Sequence, residues 1–226
     1  SFHLQEYRDL VTTGFPIMLS GYLGNLLIVA DRSVIAAFLG MEELGYYTLA
    51  GYLIGAMALI PDSFSLILYP KAAEAYGKMG KPSILRKYIF ISLLMNSLTL
   101  LPLALFCYLF LEDVVIHFFP NYINGIESAQ WACFVTILLC YRGANIVFLV
   151  LKRNLPYQIA LASGSITVWL LGYLAIKSGY GLEGVAIARL FATLLVAFTT
   201  IAYGLYLTKE QGSSTYNLSQ KKESWY

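Results

Sequence analysis

The chain has 226 residues, 58% of them hydrophobic and only 12% charged, with a net charge of +2 and a mean hydropathy of +0.66. Those values exclude a soluble globular domain, and so small and scattered a charge offers no footprint for nucleic acid. Apolar runs of about 20 residues, enough for a helix to cross the bilayer, recur along the whole length, so a cleaved signal peptide does not explain them.

The first span is predicted over 15–39, with Pro16 in a first helical turn, Thr13 or Gly14 as its cap and Gly40 just past its end. The second runs over 45–69, where Pro70 stops it, and the third over 85–111. A fourth is expected over 128–151, a fifth over 156–177 and a sixth over 182–207, leaving a polar tail at 208–226. The expected fold is an all-α integral membrane protein, a bundle of six transmembrane helices.

Basic residues orient the bundle through the positive-inside rule. With the 70–87 connection in the cytoplasm, Lys71, Lys78, Lys81, Arg86 and Lys87 lie inside, and parity adds Arg8, Lys152, Arg153, Lys209, Lys221 and Lys222. That places eleven of the fifteen basic residues on one side and leaves only Lys177 in an external connection. The external connections carry Glu42, Glu43, Glu112, Asp113, Glu127 and Glu183 instead, so both termini are expected to be cytoplasmic.

Cys107, Cys133 and Cys140 all fall inside apolar runs and read as packing residues, and the histidines are only His3 and His117. With no HExxH, CxxC or phosphate-binding glycine loop, no metal, cofactor or catalytic residue is expected.

Five ionisable residues remain within the spans: Asp31, Arg32, Asp62, Arg142 and Arg189. Each costs at least about 2.5 to 3.5 kcal/mol to insert, so each is expected to face the bundle interior or a wet cavity rather than lipid. Asp31 and Arg32 point about 100° apart and so do not pair with each other. Asp31 continues a row through Ser20, Gly24 and Leu27, and Arg32 one through Gly21, Asn25 and Ile28. Both rows suit a cavity or a close helix contact, with interfacial anchoring as the competing reading.

Arg142 falls near mid-membrane with no easy route for its head group to either surface, and Asn145 lies on the same face, so the two can present donors to one anionic group. A structural ion pair of Arg142 with Asp62 or Asp31 is the alternative. Asp62 follows Pro61, which suits a hinge, a cation site or simple repair of a kink. Arg189 is expected to snorkel outward and to be structural. Gly51 and Gly55 in GYLIG read as a helix-packing face, and Tyr69, Tyr88, Tyr108 and Tyr157 as an aromatic belt. The NLS triplet at Asn217 falls in the expected cytoplasmic tail and is not read as a glycan site.

DRSVIAAFLGMEELGYYTLAGY, with Asp31, Leu39-Gly40, Gly45-Tyr46-Tyr47 and Ala50, resembles the opening of the second lobe in polysaccharide-type flippases of the multidrug, oligosaccharidyl-lipid and polysaccharide exporter superfamily. GFPIML, LYPKAAEAYGK, FFPNYINGIESA and GLEGVAIARL extend the likeness over most of 10–207. The resemblance implies two six-helix lobes around a central cavity, of which this chain, beginning at Ser1 without methionine, is expected to be the C-terminal one and to need the missing N-terminal lobe. It further implies alternating-access transfer of a polyprenyl-pyrophosphate-linked oligosaccharide across the cell membrane.

On that expectation Arg142, Asn145, Arg32 and Asn25 contact the lipid-linked oligosaccharide, Asp31 and Asp62 are ion-coupling or structural, and Asp31 and Arg32 face the space between lobes. A cation-coupled drug antiporter would lean on the two aspartates instead. A membrane enzyme of polysaccharide assembly would have only His117 beside Glu112 and Asp113.

Overall fold

A bilayer interior offers no water to backbone N–H and C=O groups, so a spanning chain must close its hydrogen bonds within each segment. The computed structural model, which describes residues 4–210, meets that demand: it is 94% helical and has no strand among the described residues. Among the described residues, six helical stretches are long and apolar enough to cross a membrane. The helices are α1 (Leu4–Phe38), α2 (Met41–Met79), α3 (Leu85–Phe118), α4 (Ile126–Leu138), α5 (Ile146–Val150), α6 (Leu155–Lys177) and α7 (Gly181–Glu210). Most of the 208–226 tail, with Asn217, Lys221 and Lys222, lies outside the described residues, as does His3.

Proline does not end helices here as the sequence pattern predicts. α1 begins at Leu4 and carries Pro16 in its interior, where Ser20 Oγ (2.9 Å) and Gln158 Nε2 (2.7 Å) both donate to the Pro16 carbonyl. α2 passes through both Pro61 and Pro70 to Met79, a length of 39 residues. Beyond Pro70 the segment KAAEAYGKM is rich in strong helix formers, Lys78 pairs with Glu74 one turn back at 2.6 Å, and Gly80 closes the end at φ 63°. Buried Leu68 and Ala72 hold this stretch against Leu85, Ile89 and Phe148. At about 58 Å, α2 is nearly twice the hydrocarbon thickness and projects from it. α3 likewise runs on to Phe118, so Glu112 and Asp113 lie on its last turns rather than in a connection.

The fourth span is not one α-helix. Between α4 and α5, Leu139–Asn145 winds as a 3-10 helix that contains both Arg142 and Asn145. Cys140, Tyr141, Gly143 and Asn145 are all poorer helix formers than Ala or Leu, so the span tightens where its propensity is lowest. Packing fixes the place: a Cβ on Gly143 would overlap the Ser92 side chain of α3 and press on Asn96.

Burial separates centre from rim. The spans holding α4–α5 and α7 are 56% and 50% buried, whereas that of α1 is 18% buried, so the first two form the axis of the bundle. α1 packs mainly on α6, and α2 on α4; α1 and α2, though consecutive, touch less, and a small cavity lies between them.

The Gly143 contact yields a measurable contrast. Gly143→Ala is expected to lower stability by about 1–3 kcal/mol through overpacking on Ser92, whereas Gly55→Ala, with nothing within 4 Å of its added methyl, stays within about 0.5 kcal/mol of the natural protein. Unfolding curves of both variants in one detergent check the pair.

Candidate functional site

Two helix faces of the same spacing border the cleft. On α1 the row is Gly21, Asn25, Ile28 and Arg32; on α2 it is Gly51, Gly55, Ala58 and Asp62. Gly24 and Ile28 face Gly55 and Ala58 across a small cavity whose far wall includes Arg142 and Tyr141 of the 3-10 segment, Tyr157 of α6 and Arg189 of α7.

Arg142 and Asp62 meet here. Arg142 Nη2 lies 3.1 Å from Asp62 Oδ1, with the two side chains 25% and 50% exposed. Such a pair is held by geometry but open enough for an ion or head group to compete for either member. Because a 3-10 helix has three residues per turn, Asn145 stands directly in line with Arg142. Its Oδ1 is buried with no hydrogen-bond partner among the described residues.

Arg32 sits at the other end of the cleft. Its guanidinium lies across Gly51, where any Cβ would overlap it, and forms no ion pair with a described residue. Gly51 thus receives an arginine rather than a neighbouring helix backbone. From Gly51 to Asp62 is eleven residues, or about 16 Å along α2, so Arg32 and Arg142 cannot grip one phosphate together. Asn25 is exposed on α1 and does not line the cavity.

Asp31 turns away from the cleft. It is 2% exposed, its Oδ2 accepts from the Tyr47 hydroxyl at 3.0 Å, and its Oδ1 accepts from the Arg32 backbone N–H at 2.8 Å. Arg189 Nη1 is 3.7 Å from Asp31 Oδ2 and also donates to the Leu27 carbonyl. At 3% exposure Arg189 does not snorkel, which corrects the expectation: α7 is too central for its head group to reach either surface. Asp31 therefore joins α1, α2 and α7 and does not face the space beside its neighbour Arg32.

Sequence reasoning passed over several polar residues that the bundle buries. Asn96 and Ser92 on α3 are wholly buried, Asn96 Nδ2 donating to the Ser92 carbonyl at 2.8 Å and to its Oγ at 3.1 Å. Gln158 reaches Pro16 and Ser20 from α6, and Tyr47 reaches Asp31. The available signal was an amide inside an apolar run, present at both Asn96 and Gln158. No group of three or more metal-ligating side chains occurs among the described residues.

No protein-family model, no curated protein and no solved structure matches the chain.

The Asp31–Arg189 pair sets a stability ranking. Removing one member, as in Arg189→Leu or Asp31→Leu, is expected to cost about 3–5 kcal/mol because a charge is stranded, and removing both less than the sum of the two. Tyr47→Phe should cost about 1–3 kcal/mol. Chemical unfolding of the four variants in detergent measures the order, and additive single effects would rule out the coupling.

Proposed function

We propose that the chain is one lobe of a flippase that moves a polyprenyl-pyrophosphate-linked oligosaccharide from the cytoplasmic to the external leaflet of the cell membrane by alternating access. The observation that carries the reading is the Arg142–Asp62 pair beside the small cavity between α1 and α2, in which Arg142 is partly exposed and held by a half-exposed Asp62. A charge is tolerated at that depth when it faces a wet space, and a cationic wet space suits an anionic head group whose lipid tail stays in the bilayer. The resemblance in DRSVIAAFLGMEELGYYTLAGY and the motifs that follow it supports the same cargo.

The site narrows to a smaller set of residues. Arg142 is the head-group cation, with Asn145 in line behind it. Arg32, about 16 Å away, serves a different part of the same cargo or the facing lobe. Asn25, on the open surface of α1, suits a contact with that lobe. Asp62 is the residue that cargo must displace, and Asp31 is structural.

Orientation follows from where the charges fall. Lys71, Lys78, Lys81, Arg86, Lys87, Lys152, Arg153 and Lys209 gather at one end of the bundle, and Glu42, Glu43, Glu112, Asp113, Glu127 and Glu183 at the other. The basic end is cytoplasmic on the positive-inside rule, with both termini on that side.

A cation-coupled antiporter is the second reading, favoured by the same half-exposed Asp62, which a proton or sodium ion could reach. The two divide on one experiment. With the encoding gene deleted, lipid-linked saccharide should accumulate on the cytoplasmic leaflet, and the natural gene should restore its export while Arg142→Ala, present at equal folded level, does not. Full export with Arg142→Ala sinks the assigned role. Normal glycan lipids in the deletion, together with drug sensitivity rescued by the natural gene but not by Asp62→Asn, would favour the antiporter.

A further inference from the structure

The bundle carries a larger recess elsewhere. α3 and α7 each pack on α4 but scarcely on each other, which leaves a groove of about 550 Å³ over α4. Tyr108 of α3 forms one wall, Leu190 and Leu194 of α7 the other, and Gln130, Trp131 and Leu138 of α4 the floor. No residue of α1, α2 or α6 lines it, and it shares no residue with the Arg142–Asp62 site or with Arg32.

The groove has a direction. From Gln130 to Leu138 is about 12 Å along α4, nearly the depth of the hydrocarbon in one leaflet. Toward the acidic end of the bundle, each helix that builds the groove carries a carboxylate on the same face. Glu112 follows Tyr108 by four residues, Glu127 precedes Trp131 by four, and Glu183 precedes Leu190 by seven. Those are the spacings of stacked helical neighbours, so the three carboxylates stand about 6–10 Å beyond the groove residues and ring its mouth. Trp131 Nε1 donates to Glu183 Oε1 at 2.9 Å, which ties two of the three helices at that point. Glu112 and Glu127 are exposed, and none of the three glutamates forms an ion pair with a described residue. The nearest arginines along these spans, Arg142 and Arg189, are turned to Asp62 and Asp31 instead.

Shape admits a lipid chain, and charge selects its head group. An apolar groove with one polar end, lying at membrane depth, suits an acyl chain whose head group stays at the mouth. An anionic phospholipid would bring its negative charge against three carboxylates, whereas an ammonium neutralises them and offers three N–H donors for charge-assisted hydrogen bonds. Gln130, half-buried at the same end, has an amide that bonds to no described residue, which leaves its N–H groups for the ester or phosphate oxygens of the same lipid. We propose that the groove is a binding site for a phospholipid with a primary ammonium head group, one acyl chain lying over α4 and the ammonium held by Glu112 and Glu127. The site requires only that the bundle spans a membrane, so it stands or falls apart from the transport reading.

Trp131 on the groove floor reports on the occupant. With Trp169→Phe and Trp225→Phe it is the one tryptophan left, and its fluorescence is followed in the full chain reconstituted into vesicles holding rising fractions of a phospholipid with brominated chains, which quench on contact. The ethanolamine lipid should half-quench Trp131 at a mole fraction about 3- to 10-fold lower than the anionic glycerol lipid. The choline lipid, which keeps the positive charge but has no N–H, should fall between them. Glu112→Gln with Glu127→Gln should bring the three lipids within about 2-fold of one another. Should that pair not fold, raising the salt concentration screens the same exposed charges and should shrink the difference. Equal quenching by ethanolamine and glycerol lipids, stronger quenching by the glycerol lipid, a difference that survives both the charge removal and the salt, or no quenching by any of the three would overturn the proposal.

Discussion

One carboxylate ties the bundle together. Asp31 lies on a helix whose span is the least buried of the six, yet its own side chain is sealed from solvent by Tyr47 of α2 and Arg189 of α7. In water such a pair would contribute little, because both ions would be as well solvated apart. Inside a bilayer the separated state strands two charges, so the contact acts less as an attraction than as a prohibition on α1 leaving α7. α1 is held there, on Tyr47 of α2 and on α6, while α2 packs chiefly on α4.

The polar groups then sort into two kinds. Asp31, Arg189, Gln158, Ser92 and Asn96 are inward and largely satisfied by neighbouring helices, and they set helix positions. Arg32, Asn25 and Asp62 are at least partly open, and Arg142 bridges the groups, with one edge on Asp62 and another on the internal cavity. A residue with two such faces feels both what enters the cleft and what occupies the interior.

The spans themselves were plain in the sequence, since length and hydropathy are the properties a bilayer selects. Their ends were not. Pro16, Pro61 and Pro70 would stop helices in water, but in lipid no water competes for the backbone groups on either side of a proline, and after Pro70 a strong helix-forming sequence carries the chain on. The face shared by Arg142 and Asn145 was legible, and Asp62 was among the partners weighed for Arg142. The direction of Asp31 was not legible, because the rows ending at Asp31 and at Arg32 look alike in composition. What separates them is Tyr47 and Arg189, which only the fold brings near. The 3-10 turn also escaped, since over seven residues the pattern of apolar positions does not distinguish three residues per turn from 3.6.

That tight segment stores a displacement. A 3-10 helix rises about 2.0 Å and turns about 120° per residue, against about 1.5 Å and 100° for an α-helix. Relaxing the seven residues Leu139–Asn145 to α geometry would therefore shorten the span by about 3.5 Å and swing α5 about 140° relative to α4. The Gly143 contact with α3 and the grip of Asp62 on Arg142 both oppose that rewinding, like two pins through one shaft.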